Sequence, residues 1–560
     1  MKNVISDTVV SGSGWSVTGS VIAVDQLRPC ATDLTADAAT YRANDPAPYQ
    51  CRRFLQIPFA VPPMGALRFE AAVFAPLVGS YDARDGRVVP YQEGPNEEGT
   101  DGRPQDGLLV GNFNSEALGA RESEDCLTMN VYSPLVPNAN APTMVFIRGG
   151  GGDLNSNLSP YLQADGLGSM GGVVFMPDYR NGALGALDEN GHNISDLLVA
   201  WQWVLAHGAE FGANLSRIII SGSSFGAESA QYLCQRLTGT TGFAGGWIFS
   251  GGAARRIGVE GYLGYSSSTV FEGVKRSLMC EAPFTRDISG TFETAQAAID
   301  ANGFDWAVKY AFPADMINKA HTGANLWARS DAGVDPRPWE GIKAVTEPMI
   351  FQTVENEANL LGITQDTQTL GFSRFRQNNL ANRFGQSRLQ AAAFWPLKAV
   401  AELDRFLYCF GTFNYQAYRM SKNHAGASAR VVWNYKSDGN GGDYAGHTSD
   451  ASYFTGNSDW QAGLIGEEVQ LYYKDLWMQE ACMNALLNFA ENLDPNVRHS
   501  GASRGLFAVE PALSIPLTTG EDWTVLGNTT GNANSSPATA TQYQFFGTYP
   551  SVCYANTDPV

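Results

Sequence analysis

Apolar residues come in two rhythms along this chain. Thr143-Met144-Val145-Phe146-Ile147, Gly172-Val173-Val174-Phe175-Met176 and Arg217-Ile218-Ile219-Ile220-Ser221 are short, nearly continuous apolar runs, and they predict strands buried on both faces. Between the second and third, Ile194, Leu197, Leu198, Trp201, Val204 and Leu205 recur at helical spacing and predict an amphipathic helix. A second helix-compatible stretch opens at Ala227, directly after the third run, and a further helical pattern covers Leu464 to Phe489. Strands joined by crossover helices imply an α/β fold: a mostly parallel central sheet flanked by helices, with functional groups at the carboxyl ends of the strands. From about Glu260 the pattern is interrupted by Gly/Asn-rich loops, and residues 528–560 read as a loop-rich tail.

Composition narrows this picture. The 560 residues are 44% hydrophobic and 17% charged, with no apolar run long enough to cross a bilayer, as expected of a soluble globular protein. No Pro/Ser-rich linker, charge block or repeat divides the chain, so it is read as one catalytic domain over residues 1–560 with large loop insertions. A net charge of −19 argues against nucleic acid or an anionic membrane surface as partner. The eight cysteines are dispersed without CxxC or Cys/His spacing, so neither a metal nor another cofactor is expected. Met1 to Asp7 lacks the apolar run of a secretory signal, which leaves a cytoplasmic protein or a mature secreted form with an added Met. Asn-x-Ser/Thr triplets at Asn157, Asn193, Asn214, Asn528 and Asn534 carry little weight in a chain this rich in Asn, Ser and Thr. Oligomeric state is left open.

The chemistry starts at Gly222-Ser223-Ser224-Phe225-Gly226, which lies between the Ile218–Ile220 run and a helix. A sharp strand-to-helix turn needs flanking glycines and presents the central Ser224 hydroxyl at the sheet edge, so Ser224 is the candidate nucleophile. With 60 glycines in the chain the pentapeptide alone is weak, and its context carries the assignment. Acyl transfer by serine also needs a base, an acid that orients the base, and N–H donors for the oxyanion. Gly149-Gly150-Gly151-Gly152, after a predicted strand, suits the oxyanion hole together with the amide of Phe225. In an α/β-hydrolase the order is Ser, acid, His, so of six histidines His192 and His207 are excluded and His321, His424, His447 and His499 remain. His447 is preferred because a Gly-rich loop precedes it and Asp450 follows three residues on. For the acid, Glu357 and Glu355 both follow the apolar run Pro348 to Phe351, and pattern alone does not separate them.

Phe54-Leu55-Gln56-Ile57-Pro58-Phe59-Ala60-Val61-Pro62-Pro63, Leu67-Arg68-Phe69, Ser123-Glu124-Asp125-Cys126-Leu127-Thr128-Met129-Asn130-Val131-Tyr132, Tyr179 to Gly185 and Phe249-Ser250-Gly251 together resemble the type-B carboxylesterase family, which includes cholinesterases and fungal lipases. The resemblance covers roughly residues 15 to 500, in the family's order. It implies an α/β-hydrolase fold, Ser224, Glu357 and His447 as triad, and Gly150, Gly151 and the Phe225 amide as oxyanion hole. It further implies a structural Arg68–Glu124 ion pair and a polar network of Asp450 and Ser250 behind the histidine. The implied function is hydrolysis of small or medium soluble carboxylic esters without a cofactor. An acyltransferase with the same triad, or a non-catalytic adhesion or binding protein, are the alternatives.

The departures from the family are specific. Ser223 stands where a Glu is usual, Phe225 where an Ala is usual, and Arg148 where an aromatic residue or His precedes the glycines. Glu116 occupies the position of the choline-stacking Trp, which removes a cation–π partner. The lid-like region 71–122 is charged and Gly-rich, with only Leu108-Leu109-Val110 as an apolar patch, and so disfavours interfacial lipase action. That region lacks the usual disulfide partner of Cys126, and Cys30 and Cys51 pair with each other or supply a replacement in this reading.

Overall fold

The computed structural model describes residues 4–24, 49–68, 70–90, 120–136, 138–150, 155–159, 162–181, 184–185, 192–251, 338–354, 357, 413–433, 447–456, 473–499, 515, 517 and 519–526. Along these run strands β1 (Val4–Gly12), β2 (Trp15–Val24), β3 (Tyr49–Pro58), β4 (Thr128–Pro134), β5 (Ala141–Ile147) and β6 (Val173–Pro177). Helix α1 (His192–His207), β7 (Ala213–Ser223), α2 (Phe225–Leu237) and β8 (Phe243–Phe249) follow. Then come β9 (Met349–Val354), α3 (Tyr415–Asn423), β10 (Ser428–Trp433), α4 (Ala451–Thr455), α5 (Tyr473–Asn492) and β11 (Thr519–Leu526).

The strands form one twisted sheet in the order β1-β2-β3-β4-β6-β5-β7-β8-β9-β10-β11, with Gly79–Asp82 added beside β2. From β6 through β11 neighbours are parallel, and from β1 to β6 they are antiparallel. The predicted parallel sheet is therefore present, extended by an antiparallel N-terminal part that the apolar runs did not announce.

The continuous runs are buried on both faces because alternate side chains enter opposite cores. Val145, Ile147, Ile218 and Ile220 pack with Trp203, Phe225 and Leu233 beneath α1 and α2. Met144, Phe146 and Ile219 pack with Trp247, Phe454 and Leu486 beneath α4 and α5. In α1, Ile194, Leu197, Trp201 and Val204 are buried as predicted, Leu198 and Leu205 are partly buried, and Trp203 is added to the buried set. The predicted helix from Leu464 is observed over Tyr473–Asn492; residues 464–472 lie outside the described set. No helix among the described residues is long and apolar enough to cross a membrane.

This topology puts the ends of β5, β7, β8, β9 and β10 along one edge of the sheet, where β5 and β8 flank β7. Ser224 follows β7, Ser250 follows β8 and Glu357 follows β9 at this edge, and His447 hydrogen-bonds to Ser224 and Glu357.

Candidate active site

Ser224 sits between β7 and α2 with φ 55° and ψ −121°, a conformation rarely adopted by a residue with a Cβ. The surrounding hydrogen bonds enforce it. Its amide donates to Phe249 O at 2.9 Å, and its carbonyl accepts from Ala227 N at 3.0 Å and Glu228 N at 3.2 Å as α2 begins. The flanking glycines are needed for close approach. A Cβ on Gly222 would lie 2.4 Å from Gly226 O, and one on Gly226 would lie 2.2 Å from Ile147 O and 2.3 Å from Arg148 O.

His447 Nε2 lies 2.8 Å from Ser224 Oγ, and His447 Nδ1 lies 2.5 Å from Glu357 Oε2. The other Glu357 oxygen accepts Val354 N at 2.9 Å, so the carboxylate is oriented by the end of β9. Glu357 is fully buried and His447 nearly so, with the Phe413 ring 5.0 Å from the imidazole. Of the two candidate acids, Glu357 is the one brought to His447, while Glu355 lies outside the described residues.

Behind this chain of hydrogen bonds, Asp450 is fully buried and accepts from Gln352 Nε2 at 2.6 Å, and Gln352 Oε1 accepts from Trp247 Nε1 at 3.0 Å. Burial, then the charge of Glu357, pushes the Asp450 carboxyl up to about 7. The expected Asp450–Ser250 network is built differently: the Ser250 amide bonds Gln352 O at 2.7 Å, and its buried hydroxyl has no partner among the described residues. Gln352 thus occupies the bridging place that sequence reasoning gave to Ser250. Its one signal was a polar residue inside the apolar run of β9.

Arg68 and Glu124 form a two-pronged, largely buried ion pair, with Nη2 to Oε2 at 2.8 Å. On the oxyanion side, a Cβ on Gly149 would meet Ser223 O at 2.8 Å and Ser224 Cβ at 3.0 Å, and Gly150 has φ 121°. Gly151 lies outside the described residues. Phe225 opens α2, which places its amide at the N-terminus of the helix directly after Ser224. Its ring stacks on Tyr179 at 5.9 Å between centroids and is buried beneath the site.

Arg148 is 1% exposed and its guanidinium is fully engaged. Nε pairs with Asp178, and Nη2 donates to Tyr179 O and Asn181 Oδ1 at 2.9 Å each. Burial works against the Arg148 charge, but Asp178 together with the neighbouring Tyr179 and Cys126 more than offsets it, and its pKa lies above the ordinary value. Asp178 was missed from sequence, although it is the first polar residue after the run ending in Pro177.

His207, His424 and His499 are occupied in the core. His207 packs among Trp15, Trp203 and Phe74, His424 bonds Gly426 O, and His499 bonds Asn484. Cys126 is a buried thiol with no disulfide among the described residues, its pKa driven up by burial, in keeping with the missing usual partner; Cys30 lies outside the described residues. Asn157 and Asn193 are buried and unsuited to carry a glycan.

The model of the carboxylesterase family matches residues 40–289. Fumonisin B1 esterase of Sphingopyxis macrogoltabida is 34% identical over 217 residues, covering 36% of this chain and 37% of that protein. Para-nitrobenzyl esterase of Bacillus subtilis (strain 168) is 30% identical over 190 residues, covering 32% and 35%. The sequence matches thus span about a third of the length of these relatives. In structure, a PNB esterase superposes with a TM-score of 0.59 at 18% identity, over 88% of this chain and 92% of that one, and shares its α/β-hydrolase fold. Over residues 40–289 the chain is similar to the carboxylesterase family, and it has the α/β-hydrolase fold of a PNB esterase.

Proposed function

We propose that this protein is a serine carboxylesterase. Ser224 Oγ attacks the ester carbonyl while His447 Nε2 takes its proton, and Glu357 holds the imidazole in the required tautomer and stabilises its charge. The tetrahedral oxyanion is met by the amides of Gly150, Gly151 and Phe225. The intermediate collapses as His447 returns the proton to the leaving alcohol. Water, deprotonated by the same histidine, then attacks the acyl-enzyme and releases the acid.

The observation that carries this reading is the continuous hydrogen-bond chain from Ser224 Oγ through His447 to Glu357, mounted on a strained elbow. The names of the matched relatives, two of them esterases of unlike esters, support the reaction class and leave the substrate open. Small or medium soluble esters are the expected substrates, because the 71–122 region is polar and lacks an apolar lid in its sequence.

The test is hydrolysis of a p-nitrophenyl ester series from acetate to palmitate, with fluorophosphonate labelling alongside. Ser224→Ala should abolish labelling, and Ser224→Ala and His447→Ala should each lower kcat by about 10⁶-fold. Folded wild type that neither labels nor hydrolyses any member of the series would overturn the reading. Turnover confined to emulsified triglyceride would overturn the substrate class alone.

A further inference from the structure

The peptide between Gly149 and Gly150 is gripped from one side. Its carbonyl oxygen accepts a hydrogen bond from Asn155 Nδ2 at 3.2 Å and lies 3.5 Å from Arg148 Nη1. A trans peptide is planar, with C=O and N–H pointing in opposite directions, so holding that carbonyl fixes where the Gly150 N–H points: away from Asn155 and the guanidinium. The same segment abuts the nucleophile, since a Cβ on Gly149 would come 3.0 Å from Ser224 Cβ. With φ 121°, Gly150 has no side chain to restrict it, and its orientation has to be set by contacts from outside.

Those contacts are themselves locked. The Arg148 guanidinium lies 3.8 Å from the centroid of the Tyr179 ring, and Tyr179 Oη donates to Arg148 O at 3.0 Å. The Tyr179 ring also stacks on Phe225 at the head of α2. Asn181, which accepts from Arg148, donates through Nδ2 to Asn155 O at 3.1 Å. Asp178 pairs with Arg148 through one oxygen, and through the other it accepts Ser156 Oγ at 2.8 Å and Asn157 N at 3.1 Å, the two residues that follow Asn155.

We propose that Arg148 and Asn155 are positioning residues of the oxyanion hole. They set the direction of the Gly150 N–H, and the Arg148–Tyr179–Phe225 stack couples that donor to the Phe225 amide so that both donors are held as one unit. The proposal rests on the esterase reading above. It gives the Arg148 departure from the family's usual aromatic residue or His a function, and pairs it with Asp178.

The experiment measures kcat and KM for p-nitrophenyl esters in Asn155→Ala and Arg148→Lys, with active sites counted by fluorophosphonate. It adds inhibition by a trifluoromethyl ketone, whose Ser224 adduct is an anionic hemiketal that loads the hole. The Lys variant keeps a cation opposite Asp178 but loses the guanidinium fork. Expected is a loss of about 10- to 100-fold in kcat per titrated site at nearly constant KM, with ketone affinity falling by the same factor as kcat/KM. If kcat per site is unchanged in both variants and only yield or Tm falls, their role is structural and the proposal is overturned. If wild type itself neither labels nor turns over, it is the esterase reading that fails.

Discussion

Ser224 and His447 meet at 2.8 Å, yet they reach that point by unlike routes. What holds Ser224 lies within residues 141–251 and is backbone: parallel pairing of β7 with β5 and β8, an amide bond to Phe249 O, and glycine contacts tighter than any Cβ permits. What holds His447 is side chains from remote segments, Glu357 after β9 and the Phe413 ring. Backbone-built geometry restricts the residue types that fit and so leaves a pattern in the sequence. Side-chain geometry across 90 residues leaves only a residue type.

In the proposed mechanism the base side breaks most readily through its acid. Glu357→Gln keeps the size of the side chain and the acceptor for Val354 N, but it removes the charge that orients the imidazole. The expected loss is about 10⁴-fold in kcat with a normal fold, smaller than for His447→Ala. Rates above pH 7, measured beside thermal unfolding, check both parts; full activity in the variant would remove Glu357 from the triad.

On the nucleophile side the sharpest test is Gly226→Ala, because the added methyl would overlap Ile147 O and Arg148 O, which are backbone and cannot swing away. Either α2 or the end of β5 has to move, carrying Ser224 or the Gly149–Gly150 segment with it. A displacement near 1 Å costs about 10²-fold in rate, and the overpacking costs about 1–3 kcal/mol of stability. Crystallography of the variant, with kcat per titrated site, measures both. Wild-type rates would mean that the glycine is dispensable and the elbow loosely built.

These two routes also explain what was legible. The β5, β6 and β7 runs, α1, the elbow and the Gly149–Gly150 segment could be read because burial on two faces and close backbone approach each impose a pattern. His447 was found by elimination among six histidines, and Glu357 was separated from Glu355 only by resemblance. Gln352, Asp178 and Asn155 escaped notice because each is a polar residue whose partners lie 98, 30 and 6 positions away, with no periodicity to connect them. Strand β1 escaped because it is exposed over much of its length and carries no continuous apolar run.

The smallest expected effect on rate concerns two carboxylates that are equally buried and differently served. Asp178 has Arg148 against it, whereas Asp450 has one amide donor, Gln352, and its second oxygen has no hydrogen-bond partner among the described residues. Burial and the nearby Glu357 lift the Asp450 carboxyl to about 7, with His447 acting weakly in the opposite sense. The folded chain therefore holds a proton there that the unfolded chain releases between about pH 4 and 7. Through this group, stability falls as pH rises across that window. Asp450→Asn keeps an acceptor for Gln352 and removes the titration. The variant should thus gain on wild type as pH climbs from 4 to 8, by up to about 4 kcal/mol, while kcat stays within about tenfold. Denaturant midpoints at pH 4, 6 and 8 measure the difference. A stability gap that does not change with pH would mean that Asp450 is ionised throughout, and that the base side tolerates a second buried charge as readily as the nucleophile side tolerates Asp178.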